Sequence, residues 1–282
     1  MAISNFQPTI WSGVILDTLK KALVFGSPTV VNRDYEGEIK QGGTTVKITD
    51  FADPTIGTYV KDTDITIQAL TDATRTLVID QQKYFAFEVD DLDEVQSRNG
   101  GAIVGQAGSQ AAYKLRDVAD SVIAAELKAN ALAGNKLGAR PVSTSDLAFK
   151  LLVDLRTKLT KNNVPVEGRW AIVTPEVYSY LLQDNRFISA ANSGSTDPLL
   201  NGYVGRALGM NIYESNNCAA GASTGTMVYA GHSIGASYAE QILKVEADRM
   251  EKRFADMVRG LHVYGTKVTR PEAIVTADVT VT

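Results

Sequence analysis

One cysteine and two histidines are all that the 282-residue chain offers of the side chains most used for metal binding and nucleophilic catalysis. Cys218 alone cannot close an internal disulfide, and His232 with His262 cannot build a multi-histidine metal centre. A lone cysteine is more often a small buried apolar residue than a nucleophile. No run approaches the roughly 18 apolar residues of a membrane span, so no membrane partner is expected. The N-terminus has no basic region leading into a long apolar one, so no secretion signal is read there. The 32 acids against 28 bases leave a net charge of −4, which argues against strong non-specific nucleic-acid binding by the whole molecule. C-x-x-C, H-E-x-x-H and G-x-G-x-x-G patterns are missing too, as are internal repeats and low-complexity tracts. This inventory implies no cofactor, no metal and little catalytic equipment.

What is present is an ordinary globular composition, 44% hydrophobic and 21% charged, organised around one long helix. In Val104, Ala107, Ala111, Leu115, Val118, Val122 and Ala125 the apolar residues step by three or four, with Lys114, Asp117 and Asp120 off the stripe. The pattern predicts a helix from about Ala102 to Leu132, roughly 45 Å long and more than twice the average. Such a helix reads as a rigid spine from which other parts project.

Before it, Ile10, Val14, Ile15, Leu19 and Leu23 predict a short amphipathic helix stopped by Gly26-Ser27-Pro28, an arm that needs another surface to pack on. From Thr44 the period changes to two: Val46 and Ile48, Ile65 and Ile67, Leu77 and Ile79, then Phe85, Phe87 and Val89. Between Asp50 and Gln82 too few apolar residues exist to build a core, so these strands read as a long hairpin projecting from the body. Glu88 to Glu94 carries five acids, but lacks calcium-loop spacing and reads as acids entering a short helix toward Arg98.

After the helix, Gly134 to Pro141 reads as a turn-rich joint. Ser143, Thr144 or Ser145 caps a helix with the stripe Leu147, Leu151, Leu155 and Leu159, ended by Asn162-Asn163 and Pro165. Arg169 to Val173 reads as a buried strand, and Thr174-Pro175 opens a helix to Leu182. This order suggests an α/β or α+β layer. Residues 190 to 235 hold eight of the 23 glycines and read as loop-rich, with strands at Met210–Glu214 and Thr226–Ala230. Ile242–Val245, Leu261–Tyr264 and Ala273–Val281 are again β-like.

Two motifs tempt. Gly231-His232-Ser233-Ile234-Gly235 matches the G-x-S-x-G elbow of serine hydrolases and follows a predicted strand. The chemistry needs a histidine base and an acid further on, and His262 is the one later histidine. Gly260 to Lys267 resembles a phosphate loop with its final pair swapped, but β-like sequence follows where a helix N-terminus is required.

Taken together, the parts resemble the major capsid proteins of tailed double-stranded DNA bacteriophages with the Hong-Kong-97-type fold. Trp170-Ala-Ile-Val-Thr-Pro-Glu-Val-Tyr-Ser-Tyr-Leu181 resembles that family's axial-domain strand and helix. Tyr229 to Tyr238 resembles the strand and turn leaving that domain, and Phe254 to Val275 its final peripheral-domain strand. The resemblance implies an α+β capsid fold: an N-terminal arm (1–26), a peripheral domain (27–50, 84–140 and 236–282) carrying the spine helix, an extended β-hairpin loop (51–83) and an axial α/β domain (141–235). It implies a structural, non-enzymatic chain that assembles with copies of itself, as hexamers and pentamers, into an icosahedral shell enclosing phage DNA. That DNA would be contacted non-specifically. By resemblance the subunit contacts involve Ile10, Trp11 and Leu19 of the arm, and Tyr59, Lys61, Ile65, Ile67, Leu77 and Ile79 of the loop. Scaffolding and portal proteins are implied partners. The virion capsid is the implied location, after synthesis in the bacterial host cytoplasm. An encapsulin-type compartment shell is the alternative of the same fold, and a soluble hydrolase using Ser233 is the enzyme alternative.

Overall fold

A computed structural model describes residues 24–36, 45–51, 54–62, 64–65, 67–69, 72–90, 102–188, 205–222, 224–250 and 253–281. Its largest layer is a six-stranded mixed sheet. The strands are β4 (Lys136–Val142), β5 (Arg169–Val173), β6 (Arg206–Ala207), β7 (Met210–Glu214), β8 (Thr226–His232) and β11 (Ile274–Val281), in the order β4-β11-β8-β5-β7-β6. Strand periodicity divides their side chains between two faces. Ala171, Val173, Val228, Ala230, Val275 and Ala277 face one cluster, which they share with the leucines of helix α2 (Ser145–Lys161) and with helix α3 (Pro175–Leu182). Trp170, Ile172, Met227, Tyr229 and Ile274 face the other, against the long helix α1 (Ala102–Asn130) and residues Phe25, Val30 and Val31. The sheet is therefore covered on both sides, which is why β5 is buried along its whole length. A single turn, α4 (Asn185–Ile188), follows α3.

Local signals account for the α2 layer. The Thr144 hydroxyl accepts the Leu147 N–H at 3.3 Å, so of the three expected caps Thr144 is the one used. Asn163 takes a left-handed conformation (φ 58°) just past the helix, where asparagine is tolerated. Pro175 occupies the first turn of α3, where no N–H is needed.

The second layer is a three-stranded antiparallel sheet, β3-β10-β9, of β3 (Gln81–Asp90), β9 (Ala236–Arg249) and β10 (Ala255–Val268). Strands β1 (Thr45–Phe51) and β2 (Asp72–Val78) pair antiparallel from Thr45↔Val78 to Phe51↔Asp72 and form a separate ribbon. Its base is anchored by Leu77 and Ile79, which are buried with Ala239 and Val263 under Tyr35, Val46 and Ile48. Gly265 permits the crossing: a Cβ there would lie 2.3 Å from the Val78 carbonyl oxygen.

Three expectations change. The joint at Gly134–Pro141 is largely strand β4, which runs parallel to β11. Pro141 fits because β4 is the sheet's edge, where a missing N–H costs no ladder bond. The partition at 140/141 and 235/236 cuts the six-stranded sheet, since β11 lies between β4 and β8 although it follows 236 in sequence. The helix spans almost the expected residues, but its buried stripe is rotated. Leu115, Ala119, Ile123, Ala124 and Leu127 are buried together with Asp120, whereas Val118 is 39% exposed and Ala125 is exposed. With alanines all round, the apolar pattern did not select one face. The face that is buried packs Ile123 and Leu127 with Phe25, and Asp120 meets the Val24 N–H beside them.

Candidate assembly surface

The paired strands β1 and β2 carry between them a segment that takes neither strand nor helix form among its described residues, 54–69. It holds a concentration of exposed apolar side chains: Ile56 is 95% exposed and Ile67 88%, with Tyr59, Val60 and Ile65 also well out in solvent. The Thr55 N–H donates to the Gln68 side-chain oxygen at 2.9 Å and ties the two arms of the segment together. Asp62 turns the chain with a positive φ of 63°. Single exposed apolar residues are normal on a surface, but five within one short segment make a concentrated apolar surface. Each such side chain is worth about 1.5–3 kcal/mol when fully buried by a partner.

The expected contact residues therefore divide. Tyr59, Lys61, Ile65 and Ile67 lie on the exposed segment, without the strand alternation predicted for Ile65 and Ile67. Leu77 and Ile79 are a correction: the chain's own core covers them, because they anchor the ribbon to β9 and β10 and so are not available to a neighbour. Ile10, Trp11 and Leu19 lie outside the described residues. Ile56 and Val60 were missed. With Tyr59 they stand at i, i+3 and i+4, a helical spacing that the segment does not adopt, so periodicity gave no sign of their exposure. On α1 the exposed Tyr113 and Val118 extend the apolar surface of the body.

The hydrolase motif does not assemble a site. Ser233 sits in a 3-10 turn between β8 and β9, so strand follows where the elbow needs a helix. His232 Nδ1 accepts the Ile234 N–H at 3.2 Å, and Thr269 donates its hydroxyl to the Ile234 carbonyl at 2.9 Å. His262 is buried, and neither ring nitrogen has a hydrogen-bond partner, so it serves no serine. Gly260 to Lys267 runs inside β10, paired with β9 and β3, so strand continues where a phosphate loop needs a helix N-terminus.

His262 belongs instead to an ionic cluster joining residues 32–36 to the three-stranded sheet. Arg33 bonds both Glu36 and, at 2.5 Å, Glu240 on β9, and lies over the Tyr238 ring. His262 Nε2 stands 3.7 Å from the other Glu240 oxygen, too far for a hydrogen bond but close enough for charge attraction. Burial alone would raise the Glu240 carboxyl. His262 and Arg33 outweigh it and hold the group at about 2. Burial next to Glu240 pushes the Tyr238 hydroxyl well above the usual phenol range. The cluster is structural glue. Of the acids at Glu88–Glu94 only 88–90 are described, on β3, where Glu88 pairs with Arg253 at 3.0 Å, and no group of three potential metal ligands occurs among the described residues. No helix among them is long and apolar enough to cross a membrane, which does not bear on β-barrels.

An anchored ribbon with an apolar tip, a long helix and a doubly covered mixed sheet make up a mixed helix-and-sheet fold. The family profile described as phage capsid protein matches residues 52–277, and the chain belongs to that family. It is a structural major capsid protein, a component of the virion capsid. A chain from Mycobacterium phage Che8 is 35% identical, superposes with a TM-score of 0.78 and shares 91% of each chain. The capsid structure of the cyanophage P-SCSP1u is 17% identical, with a TM-score of 0.69 over 86% of this chain and 85% of that one. The asymmetric unit of the bacteriophage PhiM1 mature capsid is 15% identical, with a TM-score of 0.66 over 84% and 82%. These last two speak for the fold alone. Comparison with curated protein sequences gives no match. Neither the compartment nor the hydrolase reading is favoured.

Proposed function

We propose that copies of this chain join as hexamers and pentamers into an icosahedral shell, and that residues 54–69 carry much of the contact between them. The observation that supports this is the apolar tip on an anchored ribbon: its base is fixed by Leu77 and Ile79, while Ile56, Tyr59, Val60, Ile65 and Ile67 are largely exposed. The tip would lie over a neighbour's body, with Lys61 at its rim and the arm residues Ile10, Trp11 and Leu19 adding contact area. Association carries a cost of about 4–15 kcal/mol in lost freedom, so several such contacts must act together. Closed symmetry then leaves no open interface.

In this reading residues 51–83 are the extended loop. The axial part comprises 136–235 with 274–281, and the peripheral part the remainder of 27–50, 84–135 and 236–273. The shell encloses double-stranded DNA without reading its sequence, consistent with the net charge of −4. Scaffolding and portal proteins are the expected further partners, assembly takes place in the host cytoplasm, and the chain catalyses no reaction. The test is a triple replacement, Ile56→Asp, Ile65→Asp and Ile67→Asp. Size exclusion and negative-stain microscopy should show a folded chain that no longer forms shells. Normal particles from the variant would refute the proposed contact.

A further inference from the structure

The root of the N-terminal segment is fastened at two places by two carboxyl groups of opposite character. Residues 24–31 form a compact turn, with the N–H groups of Val30 and Val31 donating to the Ser27 carbonyl at 2.9 and 3.0 Å. Phe25, Val30 and Val31 are buried against α1 and the six-stranded sheet, and the Phe25 ring meets Tyr229 edge-on at 5.4 Å. The fastening to α1 is Asp120, 3% exposed, whose Oδ2 accepts the Val24 N–H at 3.2 Å. Its Oδ1 is buried without a hydrogen-bond partner.

Residues 32–36 are fastened elsewhere. Asn32 bridges Ser237 in parallel register, giving its N–H to the Ala236 carbonyl at 2.8 Å and accepting the Tyr238 N–H at 2.9 Å. Arg33 adds its pair with Glu240. One anchor is thus a full ionic clasp, while the other is a buried carboxyl facing mainly amide dipoles.

Among the described residues, few groups lie around Asp120. From the turn come the amides of Val24, Phe25 and Gly26. From the loop after β7 come the Asn217 side chain and the Cys218 thiol. Arg33 reaches the turn only through the Gly26 carbonyl, at 3.2 Å, and Arg116 and Asp117 lie one turn back on α1 itself. Burial raises the Asp120 carboxyl to about 6, against the lowering pull of those amides. Burial likewise holds the Cys218 thiol at about 12, so it keeps its proton throughout the range in which Asp120 titrates.

We propose that Asp120 is an acid-closed latch on the root of the N-terminal segment: as pH rises, Val24–Val31 loosen from the spine helix while Asn32–Glu36 stay clamped to β9. The sign follows from linkage. A carboxyl whose value is raised when closed favours the closed state below its exposed value of 3.8, and that preference is lost as pH rises through about 6. Glu240, depressed to about 2, changes nothing above its exposed value of 4.5. Of the two anchoring carboxyls, Asp120 is the one whose charge changes between pH 5 and 7.

Hydrogen exchange on the purified full-length chain tests this, with rates corrected for intrinsic pH dependence. Protection of the Val24–Val31 amides should fall about tenfold from pH 5 to pH 7, with no change at Asn32–Glu36. Asp120→Asn keeps an acceptor and removes the charge, so its protection should be the same at both pH values. Equal pH dependence in the variant, or a parallel change in both stretches, would overturn the latch. If the variant does not fold, the wild-type profile decides alone: a change of less than about twofold at Val24–Val31 sinks the proposal.

Discussion

Asn135 shows how much a single side chain can hold in this fold. It is buried, and its Nδ2 lies 3.0 Å from the carbonyls of Glu272 and Ile274 and 3.3 Å from that of Pro271. Its Oδ1 accepts from Asn162 at 2.8 Å. The end of the long helix, the C-terminus of α2 and the turn before β11 therefore meet at one amide. Asn135→Ala should destabilise the unassembled chain by about 1–3 kcal/mol in denaturant unfolding, because buried carbonyls lose their donor. Asn135→Asp should be at least as damaging, since a carboxylate would oppose those carbonyls. Glu240 gives the pH counterpart. With its carboxyl lowered from 4.5 to about 2, its contribution is present above pH 4.5 and is lost as pH falls toward 2, about 3 kcal/mol in all. Glu240→Gln should flatten acid unfolding over that window, and Arg33→Met should cost more at neutral pH by leaving the buried carboxylate unpaired.

Among the elements, the ribbon β1–β2 has two parts with different duties. Replacing 54–69 by a short turn should leave a folded body, judged by an unchanged cooperative melt, that forms no shells. Extending the deletion through Ile79 should also destabilise the body, by about 2–5 kcal/mol for each lost anchor, since Leu77 and Ile79 fill its core. The sequence told the ribbon from the body because apolar residues thin out between Asp50 and Gln82. It did not tell anchor from tip, since Leu77 and Ile79 are spaced by two just as Ile65 and Ile67 are. The α2 layer was legible almost to the residue, through Thr144, Asn162 and Pro175, because caps are local chemistry. The helix α1 was legible in extent but not in orientation. Which of its faces is buried depends on Phe25 and on the Asp120 contact with Val24, and those lie about a hundred residues away. The apolar tip at Ile56 and Val60 has a helical spacing that its backbone does not follow, so periodicity could not mark it as exposed.

At the scale of the whole molecule, two layers share one helix. The α1 face that carries Ile123 and Leu127 packs on the six-stranded sheet, and the same helix also touches β10 and β3 of the second layer. Tyr229 reinforces the join by donating its hydroxyl to the Ala124 carbonyl at 3.0 Å. The two layers should therefore unfold together, and Tyr229→Phe should lower a single melting transition without splitting it, by about 1 kcal/mol in stability. The position of β11 has a consequence for how a chain of this kind is made. This strand bridges β4 and β8, so the six-stranded sheet cannot be completed until residues 274–281 have left the ribosome. Until then β4 and β8 each present an unpaired edge, and the spine has only part of the surface it packs on. Subunits still in synthesis would thus be unable to offer a finished body to their neighbours, which orders translation before polymerisation without any added factor.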